Sequence, residues 1–331
     1  MIERLKMKKE YQQEIKNALA AAEKIDGINH VYFVACGGSM AFMQPAEYIF
    51  NRECDIPATI LPAREFTTRN PHDLGNHSLV VSCSHSGSTP ETNEAVNFAK
   101  SKGALTVGIT YTAGSDLEKN SDFTLHYSWG KGTDASDLNN GVLYGFLFSL
   151  LKSVTGDNKY EKGLEALDSL ETMADRVRKQ FGETAKKWTS ELKREKLIYA
   201  VGSGINTGET YSFSACWLQE MQWIHSGYIN SAEYFHGPFE VTDFDVPFII
   251  CKGLGVTRKM DQRVIDFAKK HSQKVYVIDD ADFDMHEVDD DFKEYYSQIL
   301  SGVAFRQLAE GFAYERGHSL DVRRYMGHLD Y

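Results

Sequence analysis

A loop rich in hydroxyl groups separates an apolar run of this chain from a helical pattern. It reads Ser84-His85-Ser86-Gly87-Ser88-Thr89 ("SHSGST") and lies between a predicted strand at 78–82 and a predicted helix at 92–102. A helix N-terminus offers unpaired backbone N–H groups, glycine allows a close backbone approach, and hydroxyls add hydrogen bonds. These features suit a bound phosphate group. The residues alone leave a plain helix cap equally open.

A second turn of this kind follows the first predicted strand, at 30–35. It reads Cys36-Gly37-Gly38-Ser39. In a doubly wound sheet, loops at the carboxyl ends of the strands form the ligand site, and both turns are predicted there. A dinucleotide is a weaker prediction, since neither loop is a full G-x-G-x-x-G. The nearest segment, 202–208 (GSGINTG), has no acidic residue clearly placed about 20 positions later.

A carboxylate interrupts the apolar face of a third segment. The sequence predicts a helix over 211–224, and its period places four residues on one face: Phe213, Trp217, Glu220 and Ile224. A desolvated Glu220 would suit a general base working near neutral pH. The alternative is a glutamate at the edge of the apolar stripe, with its stem packed and its carboxylate in water.

A histidine follows that helix in a loop, within Glu233-Tyr234-Phe235-His236-Gly237-Pro238. The Gly-Pro pair marks a turn, and a histidine fixed there can reach a ligand or solvent. A surface histidine without a role is equally compatible with these residues.

Short apolar runs typical of strands alternate with helical patterns in two successive halves of the chain. This alternation predicts an α/β fold with doubly wound parallel sheets. The charged helical stretch 159–194 joins the halves, and we place a first domain at 1–160 and a second at 161–331. The predicted strands are 30–35, 58–61, 78–82, 105–109, 123–127, 197–201, 247–251 and 274–278, and the predicted helices include 41–50, 92–102, 211–224 and 259–270.

Composition excludes several classes of protein. The 331 residues carry 36 basic and 47 acidic side chains, and the net charge of −11 argues against a nucleic-acid partner. No run of about 18 apolar residues predicts a membrane span, and the charged start lacks the apolar segment of a signal peptide. We therefore expect a cytoplasmic protein without a membrane partner. The five scattered cysteines fit reduced core thiols, and none has the spacing of a metal site.

Taken together, these segments resemble the sugar isomerase (SIS) domain family. "SHSGST" matches the family's phosphosugar signature Ser-x-Ser-Gly-x-Thr, and "ACGGS" at 35–39 matches its first-strand turn. "EYFHGP" at 233–238 matches the Glu-x-x-His-Gly-Pro element of the isomerase half of glucosamine-6-phosphate synthase. The resemblance covers nearly the whole chain. It implies two tandem SIS domains, each a flavodoxin-like three-layer sandwich.

The resemblance also implies roles for individual residues. Glu220 would move a proton between C1 and C2 of a sugar phosphate, and His236 would open the sugar ring, reaching across from a neighbouring subunit. Shared sites imply a homodimer or a higher homo-oligomer, and the chemistry implies no cofactor and no metal. The phosphate group would be held by hydroxyls and backbone amides of Ser39, Ser84, His85, Ser86, Gly87 and Thr89.

The chain departs from the synthase at two places. Trp217 replaces a lysine of the Glu220 helix, and the C-terminal tail lacks the synthase's catalytic lysine. The tail, Asp321–Tyr331, together with "HVYFVACG" at 30–37, instead resembles the fructosamine-6-phosphate deglycases. These hydrolases split Amadori products such as fructoselysine 6-phosphate into glucose 6-phosphate and a free amine. Further substrate contacts are expected from Gly37, Gly38, Arg324 and Tyr325.

Two other functions remain open on the same scaffold. One is isomerisation or deamination of glucosamine 6-phosphate. The other is a module that senses a sugar phosphate without turning it over, although retention of both Glu220 and His236 favours catalysis. The sequence does not identify the amine that a deglycase would release.

Overall fold

The computed structural model describes residues 2–329 and divides into two compact units. Unit 1 comprises Met1–Thr172 with Glu287–Phe292, and unit 2 comprises Met173–His286 with Lys293–Tyr331. The predicted boundary at 160 precedes this division, because the short helix that starts there packs on its predecessor in unit 1. Asp330 and Tyr331, which end the predicted tail, lie outside the described residues, as does Met1.

Unit 1 is built around one parallel sheet. Its strands are β1 His30–Ala35, β2 Ala58–Pro62, β3 Ser78–Cys83, β4 Leu105–Thr110 and β5 Phe123–His126. They lie in the order β2-β1-β3-β4-β5, with every neighbouring pair parallel. This is the flavodoxin-like order, and it confirms the predicted fold class.

The burial of the strands explains why their sequences are continuous apolar runs. Every residue of β3 is buried, as expected for a central parallel strand covered on both faces. Tyr32 and Val80 from adjacent strands share a core cluster with Phe66 and Ala95 from the flanking helices. The helices of unit 1 are α1 Lys9–Ala22, α2 Gly37–Glu53, α3 Ala63–Arg69, α4 Pro90–Ser101, α5 Asp116–Asn120, α6 Asn139–Thr155 and α7 Tyr160–Ala166.

Unit 2 repeats the arrangement with four parallel strands. These are β6 Leu197–Gly202, β7 His225–Asn230, β8 Phe248–Lys252 and β9 Val275–Asp279, in the order β7-β6-β8-β9. Its helical segments are α8 Leu170–Leu192, which begins just before the division, α9 Thr207–Ser212, a π-helix at Phe213–Met221, α10 Arg258–His271 and α11 Lys293–Arg316. No helix within residues 2–329 is long and apolar enough to span a membrane.

The predicted α-helix over 211–224 is wrong in its geometry. Only the short α9 is α-helical, and a π-helix with wider turns carries the chain from Phe213 to Met221. Because its hydrogen bonds run from i to i+5, residues there do not follow the 3.6-residue period. Ile224 lies beyond the helix, where its N–H donates to the carbonyl oxygen of Leu218 at 2.9 Å.

Candidate active site

The two predicted ligand loops meet at the point where the strand order of unit 1 reverses. Residues 36–39 follow β1 and residues 84–89 follow β3, and these strands are neighbours paired at Ala35 and Cys83. The Thr92 hydroxyl, in the first turn of α4, lies 4.0 Å from the Cys36 sulfur. A crevice of this kind, between neighbouring strands whose connections leave in opposite directions, is where doubly wound sheets bind ligands.

Hydroxyl groups hold residues 84–89, here called the phosphate loop, in a closed turn. The Ser84 and Thr89 hydroxyls lie 2.8 Å apart, and Ser84 Oγ also accepts the Gly87 N–H at 3.1 Å. Ser86 Oγ and Ser88 Oγ are likewise 2.8 Å apart. The hydroxyl groups that could have capped α4 are therefore bonded within the phosphate loop and hold its backbone in place.

Gly87 is required in this loop for two reasons. Its φ of +66° is in the left-handed region, where glycine has no steric penalty. A Cβ atom there would also lie 2.2 Å from the Ser115 hydroxyl oxygen, which caps α5. The phosphate loop can pack this closely on its neighbour only with glycine at this position.

Backbone donors of the phosphate loop remain free. Among residues 2–329 no group accepts a hydrogen bond from the amides of His85, Ser86 or Thr89. Thr89 precedes α4, yet its side chain makes no capping bond. The first amides of α4 therefore also lack partners, except for Pro90, which has no N–H. Thr89 therefore does not act as a plain side-chain cap of α4.

The β1 turn supplies a second set of donors. Gly37 and Gly38 are exposed in the first turn of α2, where amides have no partner within the helix. The Ser39 side chain lowers the pKa of the Cys83 thiol at the end of β3, but burial has the larger effect. Burial raises the pKa of that thiol to about 12, so Cys83 stays protonated near neutral pH.

His85 is held by aromatic side chains that the sequence analysis did not single out. Its Nδ1 lies 2.8 Å from the Tyr127 hydroxyl, and its ring stacks on Tyr111 with a centroid distance of 5.1 Å. Trp129 contacts the same ring edge-on at 5.1 Å. Desolvation lowers the pKa of His85, which favours a neutral imidazole. A phosphate here would be held by amides, hydroxyls and helix dipoles, without a cationic side chain from the loop itself.

In unit 2 the corresponding donors are already occupied. The carboxylate of the fully buried Asp261 accepts hydrogen bonds from the Ser203 and Ser231 hydroxyls, both at 2.6 Å. It also accepts the Gly253 N–H at 3.1 Å. These donors follow β6, β7 and β8, so an internal carboxylate takes the place that an external anion could occupy. Within the GSGINTG segment, the Ser203 hydroxyl is therefore already used in an internal hydrogen bond.

Glu220 lies in the π-helix beside a cation, in an environment closer to the stripe-edge alternative than to a fully apolar face. Its side chain is 26% exposed, and Oε1 lies 2.8 Å from Nε of Arg323. The wider π-helical turn breaks the predicted stripe, and the C-terminal tail brings Arg323 against the carboxylate. The sequence did not indicate that Arg323 lies beside Glu220. Its only distinguishing feature there is its place in the Arg-Arg-Tyr segment of the tail.

The tail residues dock onto the end of the Glu220 helix. Trp223 has a φ of +54°, and its ring contacts the His318 ring at 4.5 Å. The Arg324 guanidinium lies over Trp223 at 4.2 Å from its centroid. Gln222 Nε2 donates to the His318 carbonyl oxygen at 2.9 Å. Of the two tail residues predicted to bind substrate, Arg324 therefore packs on Trp223, whereas Tyr325 is 60% exposed.

His236 lies exposed in a turn that is anchored by its neighbours. Tyr234 is fully buried, and the Phe235 ring packs edge-on against Phe267. The His236 N–H donates to the Glu233 carbonyl oxygen at 2.9 Å, while its imidazole has no hydrogen-bond partner within the described residues. The backbone is thus fixed and the imidazole is available.

A further carboxyl group, missed by the sequence analysis, lies in the helix that leads into the π-helix. Desolvation raises the pKa of Glu209, in α9, to about 7. Burial also raises the pKa of Cys216 to about 11, with smaller contributions from the charges of Glu220 and Glu209. Nowhere in residues 2–329 do three or more His, Cys, Asp or Glu side chains form a group that could hold a metal ion.

Comparison with known proteins identifies the family. The SIS domain model matches residues 24–152. The fructosamine deglycase FrlB of Bacillus subtilis is 44% identical over 305 residues, covering 92% of this chain and 93% of the relative. A fructoselysine 6-phosphate deglycase of Escherichia coli is 26% identical, covering 91% and 86%. A crystal structure of a candidate phosphosugar isomerase from Bacillus subtilis matches with a TM-score of 0.94 and 42% identity, covering 96% of this chain and 97% of that one. The chain therefore belongs to the SIS domain family.

Proposed function

We propose that the protein is a fructosamine-6-phosphate deglycase, which releases glucose 6-phosphate and a free amine. The observation that carries this proposal is the 44% identity to a fructosamine deglycase over 92% of the chain. The free amides of the phosphate loop support a phosphorylated substrate, and Glu220 supports proton transfer. Trp217, where the synthase has a lysine, fits a substrate that carries its own amine.

Each site residue has a role in the proposed reaction. The phosphate loop, with Ser39 and the amides of Gly37 and Gly38, holds the 6-phosphate. This remote binding energy positions C1 for reaction. His236 moves a proton between the ring oxygen and the anomeric hydroxyl, which opens the ring. Glu220 then removes a proton from C1 to give an enaminol and returns it at C2.

The product of this transfer is an imine between C1 of the aldose and the amine. Water adds to the imine carbon, the C–N bond breaks, and glucose 6-phosphate and the amine leave. The proton released from nitrogen balances the one gained by the oxygen at C2. The sequence of steps combines isomerisation with hydrolysis, and it uses only acid–base groups of the chain.

We also propose that the enzyme is a cytoplasmic homodimer or higher homo-oligomer with shared sites. All five cysteines are free thiols, which fits a reducing compartment. The His236 imidazole finds no hydrogen-bond partner within residues 2–329 of its own chain. It is thus available to act at the site of a neighbouring subunit.

A substrate panel tests the proposed function. The purified protein is incubated with fructoselysine 6-phosphate, with fructosamine 6-phosphates of other amino acids, and with glucosamine 6-phosphate. Release of free amine or ammonia is measured for every substrate, and sugar phosphates are followed by a dehydrogenase assay coupled through phosphoglucose isomerase. Unphosphorylated fructoselysine, for which amine release is the readout, is the matched control. We expect turnover of at least one fructosamine 6-phosphate and much weaker turnover of the control. Conversion of glucosamine 6-phosphate alone would replace the deglycase by an isomerase or deaminase, and binding without any turnover would indicate a sensing module.

A further inference from the structure

Arg323 is held in one orientation beside Glu220. Its Nε lies 2.8 Å from Glu220 Oε1 in an ion pair, and its side chain is only 20% exposed. Its Nη1 donates to the carbonyl oxygens of Leu320 at 2.6 Å and Val322 at 3.1 Å. Within residues 2–329 its Nη2 has no partner. One donor of this fixed guanidinium is therefore unused.

The segment that carries Arg323 is docked onto the Glu220 helix. Trp223 adopts a left-handed conformation that bulky residues rarely take, and its ring contacts both His318 and Arg324. Arg316 Nη2 donates to the carbonyl oxygen of Gln222 at 3.2 Å. The contacts on both sides of Arg323 fix the tail, so its position beside Glu220 belongs to the fold of unit 2.

The unused donor, Nη2, lies on the same side of the guanidinium group as Nε, the atom that is 2.8 Å from Glu220 Oε1. In a guanidinium, the Nε and Nη2 hydrogens form a parallel fork, which can hold two oxygens side by side. Nε and Nη2 are joined through one carbon. In the open-chain ketosamine, the C1 carbon that loses its proton and the O2 oxygen are likewise joined through one carbon. A substrate whose C1 lies against Glu220 has O2 only two bonds away, within the reach of a donor beside that carboxylate.

We propose that Arg323 is a further catalytic residue, which donates from Nη2 to O2 while Nε holds Glu220. This inference rests on the proposed role of Glu220. When Glu220 accepts the C1 proton, the C1–H pair forms the C1–C2 double bond, and the carbonyl pair moves to O2. Negative charge develops on O2, and a fixed donor there stabilises the transition state more than the ground state.

Two substitutions and a matched control test this assignment. Arg323→Met keeps the aliphatic stem and removes the fork, and Arg323→Lys keeps the charge alone. Lys193→Met removes another ion pair of unit 2, between Lys193 and Glu315 at 2.7 Å. We expect Arg323→Met to lower kcat by about 10²- to 10³-fold with KM within a few-fold. Arg323→Lys should recover only part of kcat, and Lys193→Met should leave kcat unchanged.

Chemical rescue separates catalysis from tail docking. Millimolar guanidinium ion, too dilute to unfold the protein, should restore part of kcat in Arg323→Ala and none in Glu220→Gln. If Arg323→Met keeps kcat within three-fold of wild type, or lowers only the melting temperature as Lys193→Met does, the assignment is wrong. Failure of the proposed function is a different result: the wild type would release no glucose 6-phosphate from any fructosamine 6-phosphate, and the inference would fall with it.

Discussion

The hydroxyls and amides of the phosphate loop would bind an anion without a lysine or arginine of the loop. The unpaired amides of His85, Ser86 and Thr89 supply the partial positive charge, and α4 adds its dipole. The desolvated His85 contributes no full charge. Affinity for phosphate in this loop therefore depends on many short hydrogen bonds, each of which can be removed singly.

Removing the loop hydroxyls should weaken phosphate binding. Ser86→Ala and Thr89→Val each lose a hydrogen bond to a charged group, which costs about 1.5–3 kcal/mol or roughly 10- to 150-fold in affinity. Thr89→Val should have the larger effect, because its hydroxyl also holds Ser84. Calorimetric titration with glucose 6-phosphate measures this. Ser101→Ala, at the other end of α4, is the control, and unchanged affinity in both loop variants would return the loop to a structural role.

Residues close together in sequence could be assigned from the sequence, and long-range partners could not. The phosphate loop and His236 are local motifs, since a strand end, a turn and a helix start lie within a few positions. Arg323 reaches Glu220 only through the docking of the tail on Trp223. Periodicity contains no information about that docking, so it placed Glu220 on an apolar face.

At the level of elements, the sequence predicts a strand or helix correctly where the segment has one strong hydrophobic pattern. The central strands β1 and β3 are continuous apolar runs and were predicted within a residue. Strand β7, with the sequence HSGYIN, was missed because it lies at a sheet edge and is only partly buried. The π-helix was missed because its wider turn depends on packing, whereas the 3.6-residue pattern is the only signal a sequence presents.

The end of β9 contains a buried carboxyl group that links three elements. Asp280 is fully buried and accepts hydrogen bonds from Asn206 Nδ2 at 2.9 Å, from Ser297 Oγ at 2.7 Å, and from Ser301 Oγ. Desolvation raises the pKa of Asp280 to about 7, although these hydrogen bonds lower it. Between about pH 4 and 7 the folded state therefore retains a proton that the unfolded state releases. The stabilisation that protonated Asp280 contributes is complete below this pH window. It declines across the window and is lost as the pH rises through 7.

Asp280→Asn should remove this pH dependence, because asparagine is neutral throughout. Relative to wild type, the variant should gain about 1–3 kcal/mol between pH 5 and pH 8, or several degrees in melting temperature. Thermal unfolding at pH 5, 6.5 and 8 measures the difference. The exposed Asp266→Asn serves as control. A difference that stays constant with pH would show that Asp280 is ionised in the folded protein throughout this range.

At the scale of the whole molecule, two units of similar topology have diverged at their switch points. Unit 1 keeps its donors free, whereas unit 2 fills them with Asp261 and carries Glu220, His236 and the tail.

Mixed subunits test whether sites are shared between chains. Glu220→Gln and His236→Ala should each be nearly inactive alone. If His236 acts at the neighbour's site, half of the randomly mixed dimers are hybrids, and each has one intact site of two, so about a quarter of wild-type activity should return. The control is a mixture prepared without subunit exchange. No recovery after proven exchange would place both residues in the site of one chain.

The most direct test of the central claim is the turnover of Glu220→Gln with fructoselysine 6-phosphate, or with the best substrate of the panel. Glutamine keeps the shape of the side chain and removes its basicity. We expect kcat to fall by at least roughly 10²- to 10⁴-fold, with KM changed far less, because proton transfer at C1 would lose its base. Glu310→Gln, which disrupts another glutamate–arginine pair of unit 2, should retain full activity. If Glu220→Gln turns over substrate within a few-fold of wild type, Glu220 is not the base and the proposed mechanism is wrong.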